Sequence, residues 1–201
     1  MSDKIYVTKI LVTEEHYCFT EGIEIDFKKG INLIVGDQGC GKSTLLQGLS
    51  KNSIWLKISL TDDVITNGVS TFMLDTEKQN PRLSSLDNYS NPNGTSRGIG
   101  VGGAIASRFM SHGECIRDMV IQPLKKAKDC VIFFDEPESG LSVRSQYKLI
   151  KELNLAAKRG CQIFIATHCI PLIESENWVY SLEDKAWMTS SDFILNQKKN
   201  K

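Results

Sequence analysis

The 201-residue sequence has no excess of charge of either sign, because Lys+Arg and Asp+Glu each number 24. No global positive field therefore draws the chain to nucleic acid or to an acidic membrane surface, and such binding would need a local patch. Two lysine groups, Lys125, Lys126 and Lys128, and Lys198, Lys199 and Lys201, read as solvated charges rather than a phosphate track. No apolar run is long enough to cross a bilayer, and the opening MSDKIYV carries no signal-peptide apolar core. The expected location is the cytoplasm, with no membrane insertion. The six cysteines (Cys18, Cys40, Cys115, Cys130, Cys161, Cys169) include no CxxC pair and no zinc-finger spacing to a histidine. Neither a metal site nor a disulfide framework is indicated, and reduced, buried thiols are expected. No internal repeat or coiled-coil heptad stretch interrupts the chain.

What is present is enough apolar material, 41% of residues, to bury one sizeable core. A single domain spanning 1–201 is expected. KIYVTKILV, GIEIDF and GINLIV are extended, β-branched segments, the first two a candidate hairpin pair. KSTLLQGLS, from Lys42, loses the alternation and starts a helix. GVSTFMLD (Gly68–Asp75) is another strand, followed by a turn at Asn80-Pro81. Residues 82–103 are rich in Ser, Asn, Gly and Pro, so a flexible loop is expected over about 83–103. ECIRDMVIQPLKKAK has helical spacing, with a break or kink expected at Pro123. CVIFF is a continuous apolar run of the kind a parallel sheet covers on both faces, and CQIFIAT is a second buried strand. VRSQYKLIKELNLAAKRG between them is a helix, and WVYSLED is a last strand near the sheet edge. This order argues for an α/β fold with a mostly parallel sheet.

Two stretches carry chemistry. GDQGCGKST places Gly36, four residues, Gly41, Lys42 and Ser43 directly after a strand and before a helix, the context a phosphate-binding loop requires. The candidate phosphate-binding residues are Gly36, Asp37, Gln38, Gly39, Cys40, Gly41, Lys42, Ser43 and Thr44. Backbone N–H groups and the helix N-terminus would surround a β-phosphate, Lys42 would reach the β- and γ-phosphates, and Ser43 would hold Mg2+. GIGVGG also matches a glycine fingerprint formally, but it follows no strand and reads as loop. The second stretch, DEPESGLS, stands at the end of the CVIFF strand, at the sheet edge where ligands bind in such folds. Asp135 fits as the acidic partner of Ser43 at the metal, and Glu136 could accept a proton from an attacking water or orient it. His168 ends the neighbouring run, CQIFIATH, where it would sit beside a γ-phosphate or the water.

In order along Ile5 to Leu182, these motifs resemble the ABC-type ATPase superfamily. Within it, IEIDFKKGINLIVGDQGCGKSTLL, FMLDTEKQNPR, SHGE and FFDEPESGLS are similar to the small AAA-type ATPases related to the SMC, RecF and break-repair class. The resemblance implies a P-loop NTPase three-layer fold with ABC-type antiparallel N-terminal strands and a reduced helical, signature-bearing subdomain over 76–125. It makes MSHGE the signature, usually Leu-Ser-Gly-Gly-Gln, with Ser111 and Gly113 kept and His112 and Glu114 departing. In that superfamily the signature contacts ATP on the other protomer, so a head-to-tail, ATP-dependent homodimer is implied. SGLS (Ser139–Ser142) matches the D-loop with Ser142 in place of aspartate, and Gln79 is the Q-loop candidate. Tyr17 and Phe19 are open to either adenine stacking or core packing. Lys42 and Ser111 are 69 residues apart, too few for long coiled-coil arms, and no nuclease domain is expected after Leu182.

The implied activity is Mg2+-dependent ATP hydrolysis by Glu136, His168 and Lys42, driving or gating a protein effector in DNA repair or defence. A transporter's nucleotide-binding domain and an ATP-dependent switch with negligible turnover are the alternatives, and a small-molecule kinase fits less well.

Overall fold

The computed structural model describes residues 6–16, 18–50, 58–60, 70–75 and 120–199. The expectations for Tyr17, Gln79, the loop over 83–103, Ser111, His112, Gly113, Glu114, Cys115 and Lys201 lie outside these residues. The described strands are β1 (Lys9–Val12), β2 (Glu24–Asp26), β3 (Ile31–Val35), β4 (Ile58–Leu60), β5 (Thr71–Asp75), β6 (Val131–Asp135), β7 (Gln162–Ala166), β8 (Trp178–Ser181) and β9 (Ala186–Thr189). The helices are α1 (Lys42–Leu49), α2 (Val143–Lys158), α3 (Ile170–Glu174) and α4 (Ser190–Lys199), and residues 120–126 are also helical.

Six strands form one sheet in the order β5-β6-β7-β3-β8-β9. All its pairings are parallel except the last, β8 with β9. A smaller antiparallel sheet, β2-β1-β4, contains the hairpin expected from the sequence, with Ile10 opposite Ile25. The fold class is therefore the expected one. β6 and β7 are buried at every position because the central sheet is covered on both sides. Alternation then divides their residues between two cores. Ile132, Phe134, Ile163 and Ile165 join Leu149, Leu153 and Ala156 of α2 and Val120 and Leu124 of the helical stretch. Val131, Phe133, Phe164 and Ala166 join Leu45, Leu46 and Leu49 of α1 and the inner face of the small sheet.

Several local expectations change. The helical stretch runs through Pro123 to Lys126, so the break allowed for at that residue does not occur; the fixed φ of proline is itself compatible with a helix. The β8 strand is followed by an edge strand, β9, and then α4, neither of which the sequence reading contained. Lys198 and Lys199 lie in the last turn of α4, where positive charge complements the helix dipole. Among the described residues, no helix is long and apolar enough to cross a membrane.

One buried amide joins the two sheets. Gln162 is fully buried at the start of β7, and its Oε1 accepts from the Tyr6 and Val7 N–H groups at 2.9 and 2.8 Å. Its Nε2 donates to the Val7 and Lys28 carbonyls at 2.8 and 2.9 Å. All four hydrogen-bonding positions of the side chain are used, and each satisfies backbone entering or leaving the small sheet. Gln162→Leu keeps the volume and strands these groups, at roughly 1–3 kcal/mol for each one left buried and unpaired. Denaturant unfolding should show a loss of about 3 kcal/mol or more; a change within about 0.5 kcal/mol would mean that the clamp does not hold the sheets together.

Candidate functional site

β3 delivers the chain to Gly36, and α1 begins at Lys42, so the loop between them is a tight strand-to-helix connection. Gly39 is favoured by its backbone angle alone, whereas Gly36 and Gly41 are required by space as well. A Cβ on Gly41, which has φ +103°, would lie 2.3 Å from Cys18 Sγ and 3.1 Å from the Phe19 ring. Phe19 itself is only 2% exposed and packs beneath the loop, so it is core and offers no open face to a base.

The Lys42 side chain is 6% exposed and folds back into the loop, where its ammonium donates to the carbonyls of Gly36 at 2.9 Å and Asp37 at 2.8 Å. A buried cation is tolerable because these dipoles hold it. Burial pushes the Cys40 thiol up, against the opposing pull of Lys42, so the loop gains no competing negative charge from it. α1 has neither a capping side chain nor an acid in its first turn, which leaves its N-terminal N–H groups available to an anion. Asp37, Gln38, Gly39 and Ser43 are exposed around this loop. One contact was not legible in the sequence: Glu183, after β8, accepts from the Asp37 N–H at 3.0 Å.

The acidic residues end β6, two strands from β3 with β7 between them. Asp135 is 7% exposed at the strand's last position. Glu136 follows with φ +47°, a left-handed conformation that a non-glycine residue adopts at a cost of about 1 kcal/mol or more. Its N–H donates to the Ala166 carbonyl at 3.0 Å, and its carboxylate Oε1 lies 3.2 Å from His168 Nδ1. The structure thus brings Glu136 and His168 into contact and puts both on the sheet edge that carries Gly36 and Lys42. Ser142 caps α2, accepting from the Ser145 N–H at 3.4 Å, as an aspartate could in its place.

Comparison with known proteins fits this geometry. Two family models match, one described as "AAA domain" over residues 16–55 and one described as "AAA domain, putative AbiEii toxin, Type IV TA system" over residues 120–173. The first contains the Lys42 loop, and the second contains Asp135, Glu136 and His168. Among curated proteins, none matches the sequence. Among solved structures, the chain is similar to cbiO1 from Clostridium perfringens, part of the ABC transporter complex cbiONQ, at 16% identity and TM-score 0.55, covering 96% of this chain and 92% of that one. It is similar to the dimeric post-hydrolysis state of the ATP-binding cassette MJ0796 bound to ADP and Pi, at 18% identity and TM-score 0.56, covering 92% and 97%. A bacterial Atm1-family ABC exporter with ATP bound gives TM-score 0.62 at 13% identity, covering 96% of this chain and 41% of that one. The fold is that of an ABC-type P-loop ATPase.

Within this ABC-type fold, the sequence reading missed how the loops after β6 and β7 are joined. Glu138 is 5% exposed, and its Oε1 accepts from the Thr167 hydroxyl at 2.5 Å. Thr167 in turn accepts from the Cys169 N–H, which opens α3, at 3.0 Å. The chain Glu138–Thr167–Cys169 therefore ties the loop bearing Glu136 to the loop bearing His168. Glu138 Oε2 is buried and has no hydrogen-bond partner among the described residues. Burial pushes the Glu138 carboxyl up, opposed by the Thr167 hydrogen bond. Above its ordinary range the unfolded chain releases this proton more readily than the folded one, so stability falls as pH rises through that window. Glu138→Gln removes the titration while keeping an acceptor for Thr167. The variant should gain stability relative to the wild type at neutral pH, and the difference should shrink on acidification toward about pH 4–5. Thermal melts across pH test this; a pH-independent difference would show that Glu138 is not the titrating group.

Proposed function

We propose that the chain binds MgATP at Gly36–Thr44 and hydrolyses it as a head-to-tail nucleotide-sandwich dimer. The observation that carries this reading is the Glu136–His168 pair, with Glu136 in left-handed backbone, on the same sheet edge as the buried Lys42 ammonium. Lys42 would exchange its loop carbonyls for β- and γ-phosphate oxygens, and the α1 N–H groups would hold the remaining negative charge. The Ser43 hydroxyl and Asp135 carboxylate are hard oxygen donors of the kind Mg2+ takes, and a buried carboxylate favours a cation beside it. Bound there, Mg2+ would neutralise charge developing on the phosphates. Glu136 would take the proton of the attacking water or orient it, with His168 fixing the carboxylate and reaching the γ-phosphate. Ser111 and Gly113 of the signature would complete the site from the other protomer, and Gln79 would sense the γ-phosphate.

The dimer reading is supported by the dimeric ATP-binding cassette among the similar structures. A protein effector in DNA repair or defence, served in the cytoplasm, is supported by the motif resemblance and by the toxin–antitoxin description of one matching model. The second reading is the nucleotide-binding domain of a membrane transporter, favoured by the similarity to cbiO1 and to the exporter. In that case the chain would co-purify with a permease. A binding switch with negligible turnover would bind ATP tightly and hydrolyse it at the background rate.

Glu136→Gln should lower the hydrolysis rate by about 100-fold or more and, with MgATP, accumulate a dimer in light scattering. Only monomer under these conditions would exclude the sandwich. Lys42→Ala should lose nucleotide binding as well as turnover. Ser111→Arg should abolish turnover while leaving ATP affinity nearly unchanged; an equal loss of affinity would place Ser111 in its own protomer's site.

A further inference from the structure

At the end of the sheet away from the phosphate loop, Cys130 stands one residue before β6 and Cys161 one residue before β7. The parallel register sets Val131 opposite Gln162, so the two cysteines face each other across neighbouring strands. Their backbones are joined there, the Gln162 N–H donating to the Cys130 carbonyl at 3.0 Å. The two sulfurs lie 3.5 Å apart. Neighbouring strands are about 4.8 Å apart, within the Cα separation a disulfide accepts. Side-chain rotation of the sulfurs toward each other, by roughly 1.5 Å in total, would reach bonding distance without moving the strands.

Access is one-sided. Cys161 is 2% exposed, whereas Cys130 is half-buried and lines a cavity of about 230 Å³ with Phe72, Leu124, Ala127 and Phe134. A water molecule's share of liquid volume is about 30 Å³, so this space is ample for an oxidant little larger than water.

We propose that Cys130 and Cys161 form a redox-active dithiol that hydrogen peroxide converts to a disulfide joining β6 to β7. The hydrogen bond with Cys130 brings the Cys161 thiol down to about 7 against the opposing effect of burial, and the same contact pushes the Cys130 thiol up. The remaining proton lies between two sulfurs 3.5 Å apart; the form with the proton on Cys161 and the thiolate on Cys130 is the minor one, but it alone puts the thiolate on the reachable sulfur, and peroxide draws the pair through it. That thiolate attacks one peroxide oxygen, the O–O bond breaks, and hydroxide leaves to be protonated by solvent. Cys130 is then a sulfenic acid. The Cys161 sulfur attacks it, the S–O bond breaks, and the oxygen departs with the Cys161 proton as water. Two thiols and one peroxide become one disulfide and two waters, with sulfur oxidised and peroxide reduced. Because the bridge would brace the two strands that end in Glu136 and His168, it would resist unfolding while lying at the far end from them. The inference is independent of the proposed ATPase activity.

The test uses the full chain, freshly reduced, exposed to excess hydrogen peroxide and then blocked with N-ethylmaleimide. The expected peptide map contains a Cys130–Cys161 linked pair that dithiothreitol reverses, and the bridged protein should melt roughly 5–10 °C higher. Cys161→Ala should stop at a Cys130 sulfenic acid that dimedone captures. Retention of both thiols as N-ethylmaleimide adducts after peroxide, or a bridge between any other pair of cysteines, would overturn the proposal. The wild-type map alone decides it if the variant does not fold.

Discussion

Ala166 is paired with Ile34 on one side and Asp135 on the other, and this double register on β7 sets the height of every loop at the working edge. Backbone hydrogen bonds extend it past the strand ends: Glu136 N–H to the Ala166 carbonyl, Thr167 N–H to the Ile34 carbonyl and Leu182 N–H to the Val35 carbonyl. The Lys42 loop, the acidic loop and the His168 loop therefore emerge level with one another, although they come from segments far apart in the chain. A one-residue slip of β7 would turn Phe164 to the wrong face and carry Thr167 away from Glu138. Packing opposes that slip, since Phe164 stacks on Phe133 at 5.2 Å and meets Phe27 edge-on at 5.0 Å. The Gln162 clamp fixes the other end of the same strand.

Much of this arrangement was legible in the residues. CVIFF and the IFIA of CQIFIAT are apolar at successive positions because both faces of β6 and β7 are covered, and such runs need no knowledge of their neighbours to be read as central strands. GDQGCGKST was legible because its glycines, lysine and serine act together within a few residues. What escaped reading depends on distant partners. β4 and β9 are three and four residues long and carry no decisive pattern of their own; they exist because β1 and β8 present open edges. Gln162 looked like one polar position in an apolar strand, since its four partners lie on segments that only the fold brings to it. Glu138 was visible as part of DEPESGLS, but Thr167, 29 residues away, gives it its structural role.

The departures from ordinary folding rules gather at one edge of the sheet. Lys42, Asp135 and Glu138 are ionisable side chains taken out of water, and Glu136 is a non-glycine residue in left-handed backbone. Each is unfavourable for folding by itself and is kept in place by packing and hydrogen bonds elsewhere. Such a concentration is what a preorganised site requires, because groups already desolvated and oriented need little rearrangement when a charged ligand arrives.

The sign of that charge constrains the ligand. Asp135, Glu136 and Glu138 fall within four consecutive residues, opposite the Lys42 ammonium and the α1 N-terminus. If all three carboxylates were ionised, a bare triphosphate would meet more negative than positive charge at the acidic side of the site. Burial pushes the Glu138 carboxyl up, which disfavours its negative charge beside the other two without removing the hydrogen bond that positions the loops. Asp135 remains the natural place for a cation, so under the proposed function the nucleotide would be taken as its magnesium complex. Under the same proposal Glu136, partly exposed beside His168, would be the carboxylate that acts on water.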